Sequence, residues 1–449
     1  MAALGRHRLL RPRTGGAAGR RGIGWWLAAL LAIGLALQTQ PAAAGAPLAL
    51  QQRFDGAVDY VVTGGSLRTA NNNVNACSTT SSSSKNLSGI PTGANIRAAY
   101  LYWAGSGPTA DFQVSLDGSS HTALRGYTEQ FSNGSLNLDF FAGVADVTAQ
   151  IRTKGNGSYT FSDLTVVTSN QPGGASYCSS QTVLTGWSLV VIYDAPGLPN
   201  RSLVLFDGFE AIFQTDRDFA LSGVLASNVP AGKTTALVWE GDTTLGGTRE
   251  QLRYNGNPLS DAVNPVSNAY NATVNTLPST TEWGLDLDTY DVSSYVRAAD
   301  TGGVTTVSAG PDLVLLNAVL LQITTTAITG RVFEDVNYGG GQGRDYASAS
   351  ASAPGFQLGR PGVRVELYAA DGDFLDATIT DATGNYGFYR LLNGDYFVRV
   401  ATASVTSSRP GGSSCFECVP VQTFRTDGSS SVGLPVPNEI GGAYPGQPD

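Results

Sequence analysis

Between residues 328 and 400 the chain repeats one pattern: a short run in which apolar and polar residues alternate, then a turn rich in Asp, Asn and Gly. The runs are Ile328-Thr329-Gly330-Arg331-Val332-Phe333, Val363-Arg364-Val365-Glu366-Leu367-Tyr368, residues 377–380, Tyr386-Gly387-Phe388-Tyr389 and Tyr396-Phe397-Val398-Arg399-Val400. A period of two puts one set of side chains on one face of a strand, so each run reads as a half-buried strand. Asp371-Gly372 is expected to supply the φ > 0 positions of a tight hairpin, and Asp381-Ala382-Thr383-Gly384-Asn385 a second turn. The segment therefore predicts a small antiparallel β-sandwich.

The order of these motifs resembles a known family. Gly330-x-Val332-Phe333-x-Asp335-x-Asn337, Pro361-Gly362-Val363-x-Val365-x-Leu367-Tyr368, Thr380-Asp381-x-x-Gly384-x-Tyr386-x-Phe388 and Leu392-x-x-Gly394-x-Tyr396-x-Val398 are similar to the SdrD B-like (Cna B-type) domain. The resemblance implies a prealbumin-like β-sandwich that serves as a stalk or spacer in bacterial surface proteins, a mechanical and adhesive context. Some members carry a Lys to Asn isopeptide crosslink. The lysines here are Lys85, Lys154 and Lys233, all outside the segment, so that crosslink is excluded. Other members bind calcium through an Asp-x-Asn-x-Asp-Gly loop. This chain keeps Asp335 and Asn337, has Gly339 at the next acidic position, and offers Asp345 later. Ca²⁺ takes six to eight oxygens, so two readings stay open: a calcium loop of Asp335, Asn337 and Asp345, or an Asx-rich turn that satisfies its own backbone.

Residues 1–23 contain six arginines and no acid, and residues 24–37 are almost wholly apolar. That run is short for a membrane span, and small residues follow it at Pro41-Ala42-Ala43-Ala44-Gly45-Ala46. Residues 1–44 are read as a secretory signal, cut after Ala44 or Ala46. Removing it takes six of the 27 basic residues and none of the 36 acidic ones, which leaves 21 against 36, a net charge of −15. Such a chain repels nucleic acid and anionic lipid. The expected location is secreted or at the cell surface, without a membrane span in the mature chain.

Residues 45–89 form a Ser/Asn-rich lead-in, and strand-like runs joined by Gly-rich turns follow. Three landmarks recur in order. Leu101-Tyr102-Trp103-Ala104-Gly105 returns as Leu237-Val238-Trp239-Glu240-Gly241, Asp117-Gly118 as Asn255-Gly256, and Asp146-Val147 as Asp291-Val292. Self-similarity of this kind predicts duplicated units, placed at 90–215 and 216–325. The Leu-Tyr-Trp-Ala-Gly and Gly186-Trp187-Ser188-Leu189-Val190-Val191 segments also resemble N-terminal regions of large bacterial surface proteins with repeated β domains. The fold class is then all-β: two antiparallel, jelly-roll-like sandwich units, the SdrD B-like domain at 326–402, and a linker-like tail at 403–449 that suggests a longer architecture.

Four cysteines remain in an exported chain. Cys77 and Cys178 are expected to pair in an oxidising compartment. Cys415 and Cys418 have the spacing of a redox or zinc half-site, but further ligands and a thioredoxin-like context are missing nearby, so a local disulfide is the preferred reading.

Catalysis has few candidates. His121 lies in a turn without a nucleophile elbow. Paired acids suffice for glycoside hydrolysis, and Glu240, Asp242, Glu282, Asp286, Asp288 and Asp291 are available, either for that or as a calcium- or sugar-contacting loop. Alternation in Leu285-Asp286-Leu287-Asp288 instead predicts leucines in the core and aspartates in water. Trp103, Trp239 and Trp283, with Tyr100 and Tyr102, are candidates for a sugar-stacking platform or for the core.

The reading is a non-catalytic secreted or cell-surface adhesin or structural protein. The alternative is an extracellular carbohydrate-binding protein, with or without glycoside hydrolase activity. Calcium is the one cofactor with support, and the expected partner is an extracellular polymer or a ligand on a host or neighbouring cell.

Overall fold

The computed structural model describes residues 43–406, apart from 135, 169–173, 244–248, 337–345, 347–356, 393 and 402–403. The first part of the chain forms β1 (Ala43–Ala44), β2 (Ala46–Gly56), β3 (Val58–Ser66), α1 (Asn72–Asn75), β4 (Ser82–Leu87), β5 (Asn95–Ser106), β6 (Gln113–Leu116), β7 (Ser119–Thr122), β8 (Arg125–Asn133), β9 (Leu136–Asp146), α2 (Thr148–Lys154), β10 (Gly157–Ser162), α3 (Gly174–Ser179) and β11 (Thr185–Asp194). The second forms β12 (Arg201–Ile212), β13 (Asp216–Ser222), β14 (Gly232–Trp239), β15 (Gln251–Tyr254), β16 (Asn257–Pro258), β17 (Leu285–Asp291), β18 (Gly302–Ser308) and β19 (Val314–Thr324).

These strands make two sandwiches of one topology. The first pairs a sheet ordered β1-β8-β9-β5-β11-β3 with one ordered β4-β10-β6-β7. The second pairs β17-β14-β19-β12-β2 with β13-β18-β15-β16. Read in chain order, β9-β5-β11-β3 corresponds to β17-β14-β19-β12, and β4-β10-β6-β7 to β13-β18-β15-β16. The unit boundary therefore falls between β11 and β12, near residue 200 and not 215. The lead-in is part of the fold as well: it supplies β3 and β4 to the first sandwich and β2, across the seam, to the second.

Two of the three recurring landmarks occupy matching places. Asp117-Gly118 and Asn255-Gly256 both have positive φ at both residues and close the β6–β7 and β15–β16 hairpins, the geometry of a type I′ turn. Asp146 and Asp291 each accept the backbone N–H two residues on. Val147 and Val292 donate to Ala99 and Gly232 of the neighbouring strand. That equivalence offsets β5 and β14 by 133 residues, whereas the Leu-x-Trp landmark is offset by 136. The odd difference turns the two tryptophans to opposite faces.

The large sheets of the two sandwiches pack on each other, so the molecule is a four-layer stack. Trp103, Trp187, Leu189 and Val191 fill the core between the two sheets of the first sandwich. Val190, Ile192, Leu205, Trp239, Leu287 and Leu315 fill a core shared between the sandwiches. Val238, Tyr254, Val307 and Leu316 fill the core of the second sandwich. Strands in the inner layers are covered on both faces, which is why β19 is buried along its whole length. Gly143 sits under the Trp103 indole, where a Cβ would clash with the ring.

Polar groups also cross the seam. Asp207 on β12 accepts hydrogen bonds from Arg125 Nε (3.2 Å) and Nη2 (2.5 Å), Tyr102 (3.0 Å) and Tyr127 (2.8 Å) of the first sandwich. Lys233 Nζ meets Asp59 Oδ1 at 2.6 Å.

The C-terminal part forms β20 (Ala327–Arg331), β21 (Phe333–Asp335), β22 (Gln357–Gly359), β23 (Arg364–Ala369), β24 (Phe374–Ile379), β25 (Asn385–Tyr389) and β26 (Tyr396–Val400). Sheets β24-β23-β26 and β20-β25 enclose Val363, Val365, Leu367 and Phe388. The β23–β24 turn differs from expectation: Gly372 has positive φ and Asp371 does not. Gly372 N–H donates to Ala369, so the loop is longer than a two-residue hairpin.

Candidate functional site

Loops at one end of the second sandwich gather four acids. Glu240 and Asp242 leave the end of β14, Glu250 precedes β15, and Asp312 precedes β19. One carboxylate oxygen from each of Glu240, Asp242 and Asp312 lies within 4.8 Å of the others, and all three residues are buried. Glu250 is fully buried. Glu240 has φ +71, and its N–H donates to Gly284, which fixes its direction off the strand.

The first sandwich covers this cluster with the segment after β3. Asn72, on α1, donates its side-chain amide to Asp242 Oδ1 and accepts from Arg68 Nη2. Arg68 also reaches the Ala70 carbonyl at 3.4 Å. The disulfide Cys77–Cys178, with a Cα separation of 5.5 Å, ties that segment to α3. Asn268 Nδ2 donates to the Asp242 carbonyl at 3.4 Å.

Burial dominates the electrostatics. Desolvation, followed by repulsion from Asp312 and Asp242, holds the Glu240 carboxyl well above the usual range. Desolvation with the charges of Asp312 and Asp242 pushes Glu250 up to about 8. Desolvation with Asp242 pushes Asp312 up to about 7. Burial raises Asp242 too, against the opposing pull of Arg68. Arg68 itself is lowered by desolvation, which outweighs the attraction of Glu240 and Asp242. Low dielectric penalises each unneutralised charge here.

The sequence singled out Glu240 and Asp242 because two acids close an apolar strand. Glu250, Asp312, Asn268 and Arg68 come from distant loops, and no local pattern marks them. The second acidic group is arranged differently. Glu282 is held by Lys85 Nζ, the Ser66 N–H (3.0 Å) and Ser279 Oγ (2.7 Å). Asp286 and Asp288 are buried, contrary to the expectation that they face water. The loop from 259 to 284 lies over them: Asp286 Oδ1 accepts the N–H groups of Asn271 (2.7 Å) and Thr273 (3.0 Å), and Asp288 Oδ1 that of Asn275 (2.9 Å). These acids anchor a loop. Asp291 is exposed and caps Ser293.

Trp103 and Trp239 have no exposed surface, so they cannot form a platform. Their indole N–H groups donate to the Asp111 carbonyl (2.9 Å) and to Asn317 Oδ1 (3.1 Å). Tyr102 is buried likewise, while Tyr100 and Trp283 are half-buried. His121 pairs with Gln150 Oε1 at 2.7 Å. Lys85, Lys154 and Lys233 form ion pairs with Glu282, Asp117 and Asp59. Asp335 lies at the end of β21, whereas Asn337, Asp345, Cys415 and Cys418 lie outside the described residues. Among the described residues no helix is long and apolar enough to cross a membrane.

The stacked sandwiches and the small C-terminal β domain define an all-β protein. The chain belongs to the family described as protein of unknown function DUF3344, which matches residues 42–323. Residues 326–414 match the SdrD B-like domain. No curated protein matches the chain. Among solved structures, wild-type BuGH86 in complex with neoagarooctaose is similar at 12% identity and TM-score 0.18, over 62% of this chain and 33% of that one. The chain thus spans about a third of that structure's length. The major capsid protein P2 from bacteriophage PM2 is similar at 12% identity and TM-score 0.17, over 59% of this chain and 98% of that one. The T6 backbone pilin of serotype M6 Streptococcus pyogenes is similar at 12% identity and TM-score 0.11, over 86% of this chain and 63% of that one. Scores this low carry no argument about function.

Proposed function

We propose that the chain is a non-catalytic, exported or cell-surface structural protein with an adhesive role, in which a stiff two-sandwich head adjoins an SdrD B-like spacer. The observation that carries this reading is the core shared by the two sandwiches, including Ile192, Leu205, Trp239 and Leu315. A shared apolar core resists relative motion of its two halves, because sliding them would expose that surface to water. The head also meets the spacer: Arg390 Nε lies 4.0 Å from Asp55 Oδ2, and the Thr326 N–H donates to the Leu225 carbonyl at 2.9 Å. Buried acids that hold backbone N–H groups, as Asp286 and Asp288 do, suit a scaffold better than general acid and base work, which needs substrate access.

The test is to incubate the purified chain with insoluble polysaccharides and with whole cells, measuring depletion of protein and release of reducing sugar in the same tubes. Depletion without sugar release is expected. Sugar release that disappears in Glu282→Ala or Asp286→Ala would replace this reading with a hydrolase.

A further inference from the structure

We propose that Glu240, Asp242, Asp312 and Glu250 form a calcium site at the seam between the two sandwiches, with the Asn268 side-chain carbonyl as a neutral ligand. This site is separate from the Asp335 loop and does not depend on the adhesive reading.

Geometry gives the first reason. Oxygens of Glu240, Asp242 and Asp312 lie within 4.8 Å of one another. Two oxygens on opposite sides of one Ca²⁺ are about 4.6–5.2 Å apart, from its usual bond lengths. One ion can therefore touch all three.

Unpaired donors give the second. Glu240 Oε2, Asp312 Oδ2, both Glu250 carboxylate oxygens and Asn268 Oδ1 are buried without a hydrogen-bond partner among the described residues. The residues that carry them are at most 9% exposed. Buried polar atoms are normally satisfied, and each one left unpaired costs roughly 1–3 kcal/mol. Arg68 makes no hydrogen bond to these oxygens: its Nη2 is directed to Ala70 and Asn72, and its Nε is buried without a hydrogen-bond partner among the described residues. Asn72 occupies Asp242 Oδ1 only.

Ligand chemistry selects the ion. Every candidate donor is an oxygen, which favours a hard cation over zinc or copper. Arg68 offsets the charge of Glu240 and Asp242 only, so four gathered carboxylates call for more positive charge than it supplies. Magnesium keeps several waters and prefers few protein ligands, whereas calcium accepts many protein oxygens. Bound there, the ion would cross-link three loops of the second sandwich beneath the disulfide-tethered segment of the first.

The full chain, stripped with EDTA, is titrated with CaCl₂ and separately with MgCl₂ at pH 7.5 by calorimetry, with thermal melts in parallel. Calcium should bind, raise Tm, and exceed magnesium in affinity at least tenfold. Glu240→Gln combined with Asp312→Asn keeps side-chain shape; the Ca²⁺ bound per chain should fall by one, and the stripped protein should melt no lower than the stripped parent. Asp335→Asn should leave this site unchanged. If the double variant does not fold, Glu240→Gln alone should weaken calcium binding at least tenfold. Absence of calcium binding in the parent, equal affinity in the variants, or loss of all binding in Asp335→Asn alone would each overturn the proposal.

Discussion

The Asn72 side-chain amide donates to Asp242 Oδ1, so a four-residue helix of the first sandwich caps an acidic cluster of the second. The segment that carries Asn72 is closed by the disulfide between Cys77 and Cys178, across 101 residues of sequence. Covalent closure of a long loop and capping of buried acids therefore act on the same few residues.

Reducing that disulfide is expected to destabilise the chain. A disulfide contributes roughly 2–4 kcal/mol as a rule, and about 5 kcal/mol where the closed loop is about 100 residues long. Cys77→Ser with Cys178→Ser should lower stability by that amount in urea titrations. It should also speed amide exchange in the segment around Asn72 more than in β11 or β19.

Asp207 is the polar pin of the seam. Asp207→Ala leaves the Arg125 guanidinium and the hydroxyls of Tyr102 and Tyr127 without their acceptor. Breaking a buried pair from one side costs roughly 3–5 kcal/mol. Combining Asp207→Leu with Arg125→Met should recover much of that loss, measured as the urea midpoint.

The anchored loop gives stability a pH dependence. Desolvation is the largest cause that pushes Asp288 up to about 7, with Asp261 adding repulsion. Asp286 beside it is raised further, by burial and then by the charge of Asp288. An unfolded aspartate titrates near 3.9, so the folded chain holds protons that the unfolded chain releases. That contribution is complete below about pH 4 and is lost as pH climbs through about 7, a fall on the order of 4 kcal/mol from Asp288 alone. Asp288→Asn should reduce the fall over this window without abolishing it, because Asp286, Glu250 and Asp312 are raised in the same direction; thermal melts from pH 4 to 8 follow it.

The tryptophans separate packing from recognition. Trp103→Ala opens a cavity in the first core and should cost roughly 3–5 kcal/mol. Trp283 is half-buried, and Trp283→Ala should cost less than half as much. If a polysaccharide is retained by the chain, Trp283→Ala is the tryptophan change expected to weaken retention in a folded protein.

How much of this was legible in the sequence varies by element. The hairpins at Asp117-Gly118 and Asn255-Gly256 were, because a type I′ turn needs two positive-φ residues and Asx-Gly supplies them. The duplication was legible as well, although its Trp landmark aligned residues that face different layers. Alternation told which side of β17 carries Asp286 and Asp288, but the loop that covers that side starts 26 residues earlier. The serine run in β4 hid a strand because an outer sheet needs few apolar side chains: Ser83 and Leu87 are its buried residues. The acidic cluster was half legible, through Glu240 and Asp242, and its other members meet only once the sandwiches stack.

The shared core is most directly tested by equilibrium urea unfolding of the full chain, with Trp25 and Trp26 replaced by Phe, followed by tryptophan fluorescence. Trp103 and Trp187 report on the first sandwich and Trp239 and Trp283 on the second, while the C-terminal domain contains none. A single transition, with the same midpoint whether followed by tryptophan fluorescence or by far-ultraviolet circular dichroism, is the predicted result. Two transitions, one reported by each pair, would show that the sandwiches unfold independently and would contradict a stiff two-sandwich head.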